Sequence, residues 1–362
     1  MTTTKNPARR DFLARGATLI AASTGPEMAS AASSLAPLAP QRIDVHAHFL
    51  PEKYRSALAA AGHSKPSGMP GIPSWSVDQH IAMMDRNGIA ASVLSISAPG
   101  LHFGDDAAAR ALARHVNEEG AKATQAHPQR FGMFASLPLP DVDGSLQELA
   151  YAFDVLHADG VVLESNHNGI YLGDRRLEPV FAELHRRKAK IFIHPTNPHC
   201  PCCQTQDPTA LPPIGYPFPM LEFMFETTRA VFNLILSGTL DRYPDLQIIV
   251  PHAGATIPVL ADRVAGLSPA LGLSQKLDVP RFYALLRGMY YDLAGFPLPR
   301  QLLPLLEIAD PQRILYGSDW PYTPEPLVAA LAAKLDASPL LTDRLRQDFM
   351  RNNALALFPR FG

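Results

Sequence analysis

Cysteine is scarce in this chain of 362 residues: Cys200, Cys202 and Cys203 are the only ones. Three thiols crowded into four positions cannot build a paired framework, so no disulfide scaffold is inferred. No run of about 18 apolar residues suggests a membrane-spanning helix. A basic excess is missing as well, with Lys plus Arg at 32 against Asp plus Glu at 34 and a net charge of −2. Nothing therefore argues for a nucleic-acid partner. No glycine-rich fingerprint opens a helix after a strand, which weakens a dinucleotide-binding fold. What is present is an ordinary hydrophobic fraction of 47%, enough for a sizeable core, and 35 prolines, which demand many ordered loops. The length allows two domains, but a (β/α)8 barrel holds about 250 residues or more as one.

The first forty residues stand apart. Ala8-Arg9-Arg10-Asp11-Phe12-Leu13-Ala14 matches a twin-arginine export pattern, an apolar stretch runs from Ala17 to Ala22, and small residues follow from Met28 to Ser33. The expectation is a signal segment over residues 1–40, hence a periplasmic or secreted protein. The alternative is a disordered extension of a cytoplasmic one. Residues 41–362 are expected to form a single domain.

Beyond Pro40, short apolar strands alternate with amphipathic helical runs, the pattern of parallel βαβ units. Strands are expected at Ile43–His48, Ala91–Ser97, Phe131–Leu137, Gly160–Ser165, Lys190–Pro195, Leu246–His252, Met289–Ala294 and Arg313–Asp319. Helical runs are expected at Val77–Asn87, Asp105–His127, Ser145–His157, Leu177–Lys188 and Leu221–Tyr243. Eight such strands predict an α/β fold of the (β/α)8 TIM-barrel type. In these barrels the active site lies at the C-terminal strand ends. The first strand ends in His46 and His48, whose i, i+2 spacing aims both imidazoles to one side. The fifth ends in His194, the sixth in His252 and the eighth in Asp319. One such residue alone is ordinary packing or a cap; four strand ends of metal-ligand type point to a divalent-ion site.

The succession Asp-x-His-x-His, His-Pro, His-x-Gly and Gly-Ser-Asp-Trp-Pro resembles the amidohydrolase superfamily. The resemblance is to its branch with aminocarboxymuconate-semialdehyde and γ-resorcylate decarboxylases, over residues 42–358. The segments Gly71–Ser76, Ser95–Asp106 and Phe134–Pro140 are similar to those of 6-methylsalicylate decarboxylases. The resemblance implies that His46, His48, His194 and Asp319 bind one divalent metal, Zn²⁺ first and Mn²⁺ as the alternative. It implies an acid/base role for His252 beside Asp319, and contact of Arg263 with the carboxylate of a neighbouring subunit's substrate, hence a homodimer or larger assembly. Glu226, in an E-T-T segment, is grouped with the substrate-binding residues and expected behind the site.

The hydrolytic two-metal members usually carry a lysine at the end of the fourth strand. Here that strand reads Val161-Val162-Leu163-Glu164-Ser165, so a one-metal site without organic cofactor is expected. The implied reaction is non-oxidative decarboxylation of a small 2-hydroxybenzoate, 6-methylsalicylate to 3-methylphenol and CO2. Asp319 is the expected proton donor, which requires it protonated. Phe49, Trp75, Phe103, Phe218, Phe296 and Trp320 are candidates to wall a ring pocket, or ordinary core. The His199-Cys200-Pro201-Cys202-Cys203 segment is cramped for one tetrahedral site, so a lid or subunit-contact loop is favoured there and metal binding is the minority alternative. The segment opens a proline-rich loop, Pro208–Pro219, expected near the barrel mouth. Two rivals stand beside the decarboxylase: a hydrolase or hydratase using the same ligands on water, and a non-catalytic binding barrel.

Overall fold

The computed structural model describes residues 42–200, 215–272 and 277–362. The expected signal segment lies outside them, as do Cys202, Cys203 and most of the proline-rich loop.

Strands form where β-branched and aromatic residues run together between polar turns. They are β1 (Arg42–His48), β2 (Ile89–Ser95), β3 (Phe131–Ser136), β4 (Gly160–Glu164), β5 (Lys190–His194), β6 (Gln247–Val250), β7 (Tyr290–Asp292) and β8 (Ile314–Leu315). They pair in parallel in sequence order as one eight-stranded sheet. Bridges Asp44↔Tyr316 and Ala47↔Trp320 join β8 and its extension back to β1, closing a (β/α)8 barrel. The eighth strand is thus shorter than expected: its ladder with β7 ends at Leu315, and only isolated bridges at Tyr316 and Trp320 continue along β1.

Helices begin where a side-chain oxygen caps them. Ser76 accepts from Gln79 N, Asp105 from Ala108 N and Asp141 from Gly144 N. The Asp141 cap starts its helix at Val142, three residues before the expected Ser145. The run expected over Leu221–Tyr243 breaks at Gly238, φ +73°, into helices Glu222–Leu236 and Thr239–Arg242.

Two cores follow from strand alternation. Ile43, Val45, Val93, Phe134, Val162, Phe192, Ile249 and Leu315 fill the barrel, plugged from below by Leu357, Phe358 and Phe361. Their neighbours in sequence, such as Ala135, Val161, Ile191 and Ile248, belong to a separate, larger core that includes the surrounding helices. Two residues beyond each interior position lies the barrel's upper rim. Val93 leads to Ser95, Val162 to Glu164, Phe192 to His194 and Tyr290 to Asp292.

β1 breaks this rule. Continuing from Ile43 and Val45, strict alternation would send Ala47 inward and turn both imidazoles out. A bulge intervenes: Asp44 pairs with Ser92 but Ala47 pairs with Leu94, three steps on one strand against two on the other. It re-aims His46 and His48 into the barrel together. Asp44 fastens the bulge, accepting from His46 N at 3.0 Å and Ser318 N at 3.0 Å.

Candidate metal centre

His46, His48 and His194 are buried at the upper rim, their side chains 0%, 0% and 3% exposed. Each commits Nδ1 elsewhere. His46 Nδ1 lies 2.9 Å from Asp292 Oδ2, His48 Nδ1 3.1 Å from Ser95 Oγ and 3.3 Å from its carbonyl, and His194 Nδ1 2.7 Å from the Pro195 carbonyl. Acceptors at Nδ1 hold the proton there and leave Nε2 a bare lone pair. These ligand nitrogens lie within 4.8 Å of one another. Asp319 Oδ1 stands 3.1 Å from His48 Nε2 and 3.5 Å from His46 Nε2. His46 Nε2 is buried without a hydrogen-bond partner, an expensive state for a polar atom. Three imidazole nitrogens and a carboxylate gathered at one rim fit a divalent cation.

His252 completes the group, Nε2 3.7 Å from Asp319 Oδ2. Both residues sit on left-handed backbone, φ +56° and +57°, as do Ala253 and Ala255 in the turn after β6. Such conformations cost about 1–3 kcal/mol each and persist where the surroundings over-determine them. Here Asp292 accepts from His252 N at 3.0 Å and Gln301 donates to the His252 carbonyl at 2.6 Å. Asp292 thus holds a metal-site imidazole with one oxygen and the His252 turn with the other.

The charges differ from expectation at one point. Burial pushes the Asp319 carboxyl upward, but His46, His252 and His48 outweigh it and hold it well below the ordinary carboxylate range. Burial lowers His252, but Asp319 and Asp292 overcome it and raise its pKa. Burial also takes His48 down to about 4, so it is neutral at neutral pH. Both shifts favour a proton on His252 over one on Asp319, the expected donor.

Above these groups opens a cavity of about 450 Å³, lined by Ser97, His194, Phe223, Met224, His252, Phe296, Asp319 and Tyr322 among others. Of the expected aromatic wall only Phe296 lines it. Phe103 and Phe218 line a second cavity of about 290 Å³, together with His102, Glu164 and His167. Phe49 packs against Trp75, and Trp320 lies against His80 at 4.6 Å. Phe223 and Tyr322 also line the cavity and are not legible from sequence, since a helix residue and a post-proline residue carry no strand-end signal.

Glu164, where a lysine would stand in a two-metal relative, is buried with Oε2 3.5 Å from His194 Nδ1. Glu226 is not brought to the cavity. One of its oxygens accepts from Asn166 at 2.9 Å and the other from Tyr171 at 3.0 Å and from Arg229, anchoring the hairpin Asn166–Tyr171 to the helix Glu222–Leu236. Arg263 is exposed on the helix Ile257–Ala270 and lines neither cavity.

Comparison with known proteins places this geometry in context. The family model described as Amidohydrolase matches residues 43–360. The 6-methylsalicylic acid decarboxylase of Penicillium expansum is 38% identical over 323 residues, covering 88% of this chain and 96% of that protein. The corresponding enzyme of Aspergillus aculeatus is 37% identical over 327 residues, with shares of 88% and 96%. A crystal structure described as an amidohydrolase II is 34% identical with a TM-score of 0.81, covering 88% of this chain and 99% of the other.

Proposed function

This chain belongs to the amidohydrolase family, and from that premise we propose that it is a metal-dependent, non-oxidative carboxy-lyase converting 6-methylsalicylate to 3-methylphenol and CO2. The observation that carries the reading is the gathering of ligand atoms of His46, His48 and His194 within 4.8 Å of one another, with Asp319 Oδ1 3.1 Å from His48 Nε2 and His252 beside it, at an apolar-walled cavity. A zinc or manganese ion held by His46, His48, His194 and Asp319 would supply a Lewis acid and a template for the ortho hydroxyl and carboxylate oxygens.

The chain's own residues do the rest. Phe223, Met224 and Phe296 wall the ring against water. His252 holds a proton shared with Asp319, whose carboxylate passes it to the ring carbon bearing the carboxyl group. The C–C bond then breaks, its electron pair returns to the ring, and CO2 departs. The balance is one aromatic carboxylate and one proton in, one phenol and CO2 out, so the electron flow needs no organic cofactor.

The chain is further proposed to act as a homodimer, with Arg263 reaching the partner's substrate. Val259, Leu267 and Leu271 are 75%, 41% and 66% exposed and share one helix face with Arg263 at four-residue spacing. An apolar stripe of this kind is suited to subunit contact. Export through the Arg9-Arg10 segment is the corresponding proposal for its location.

Purified protein loaded with Zn²⁺ or Mn²⁺ is expected to release CO2 and 3-methylphenol from 6-methylsalicylate. Water consumption without CO2 would favour the hydrolase, and metal uptake without turnover of any aromatic acid the binding barrel.

A further inference from the structure

Ser97 lies just past β2 on the same inward series as Ser95, on the wall of the site cavity. Its hydroxyl is 3.3 Å from His194 Nε2. Because His194 keeps its proton on Nδ1 for the Pro195 carbonyl, Nε2 can only accept, and Ser97 is the donor. That same lone pair is the one a metal ion would take. An occupied site therefore deprives the Ser97 proton of its acceptor, and a buried hydroxyl without one is costly. The cavity that Ser97 lines is where a replacement acceptor would lie.

A further observation points to this spot. The Tyr322 hydroxyl is buried, lines the same cavity as Ser97, and makes no geometrically formed hydrogen bond among the described residues. The Ser97 backbone is fixed independently of any ligand. The fully buried Tyr54 donates its hydroxyl toward the Ser97 carbonyl at 3.3 Å and the Gly100 carbonyl at 3.1 Å. The serine is thus a rigidly mounted donor.

We propose that Ser97 is a substrate-binding residue, donating its hydroxyl to an anionic oxygen of the bound 2-hydroxybenzoate, and that Tyr322 is a positioning residue that orients that hydroxyl. With the ligand bound, Tyr322 would donate to Ser97 Oγ, leaving the serine proton free to turn from His194 to the ligand. The inference rests on the functional reading above and adds to it the group that reads the ligand's oxygen beside the metal.

The probe is 3-methyl-2-nitrophenol, whose nitro group copies the carboxylate's shape and cannot leave. Its affinity for the metal-loaded protein is measured by calorimetry, beside metal content and the thermal midpoint. Ser97→Ala is expected to weaken binding at least tenfold, with KM for 6-methylsalicylate rising in parallel and metal content unchanged. Ser97→Thr, which keeps the hydroxyl, should recover most of the loss. Tyr322→Phe should weaken binding severalfold in the parent and add nothing in the Ser97→Ala background, a non-additivity that lost packing would not produce.

Undiminished affinity in Ser97→Ala overturns the proposal. So does a loss that tracks metal content, which would make Ser97 a support for His194 alone. A parent protein that takes up metal but binds neither nitrophenol nor 6-methylsalicylate overturns the functional reading and this inference together.

Discussion

His46 Nδ1 and Asp292 Oδ2 meet at 2.9 Å with both side chains fully buried. The contact joins β1 to β7 across the barrel interior and decides which nitrogen of His46 faces the site. Burial raises the Asp292 carboxyl, but His46 and His252 outweigh it and keep it ionised. The carboxylate therefore accepts from Nδ1 and raises the basicity of Nε2.

Asp292→Asn is expected to cost about 10- to 100-fold in metal affinity. An asparagine can turn its amide donor to Nδ1, favouring the tautomer that blocks Nε2 with a proton. Competition with a chelator measures the affinity, and excess metal should restore much of the turnover. Unchanged affinity would remove Asp292 from the metal centre.

Gly317→Ala tests how tightly the eighth strand seats His46. A Cβ at Gly317 would lie 2.8 Å from His46 Cβ and 3.2 Å from Ala294 Cβ. Neither neighbour can swing away, since both contacts are at Cβ. Overpacking of this kind costs about 1–3 kcal/mol, read by chemical denaturation, and should loosen the metal site as well. An alanine variant as stable as the parent would show that the strand can shift.

The three proposed histidine ligands were legible in the sequence because they close β1 and β5, and Asp319 because it follows β8 within four residues, the end where a parallel barrel places its chemistry. Local alternation correctly put His46 and His48 on one side. It could not show that Ile43 and Val45 face inward too, because the bulge depends on pairing with β2. The aromatic wall was less legible. Trp320 and Phe49 pack behind the site, whereas Phe223 comes from a helix whose rotation no local pattern sets. Asp292, at the end of the seventh strand, is placed by sequence to hydrogen-bond within the site, but its double duty toward His46 and the His252 turn is a tertiary relationship.

The charge pattern fixes the sign of the pH dependence. His252 has its pKa raised, so its proton persists to higher pH than on an ordinary histidine, and Asp319 stays ionised beside it. If His252 supplies the proton, kcat holds at low pH and falls as pH rises through the His252 pKa. His252→Gln should lower kcat about 100-fold or more and flatten that alkaline limb. Asp319→Asn should still take up metal yet turn over poorly. A limb that survives His252→Gln assigns the proton to another group.

Arg263 separates the single chain from the assembly. It lines neither cavity in its own chain, so a role at the substrate requires a second subunit. Arg263→Ala and Asp319→Asn should each be nearly inactive alone. In a mixed dimer the Arg263→Ala subunit keeps its own Asp319 and receives the partner's intact arginine, so one of its two sites is whole. Random reassortment makes about half the dimers hybrid, so mixing should restore up to about a quarter of parental activity. If Arg263 acted within its own subunit, no site in the hybrid would be complete. Mixing would then restore nothing, however well the subunits associate.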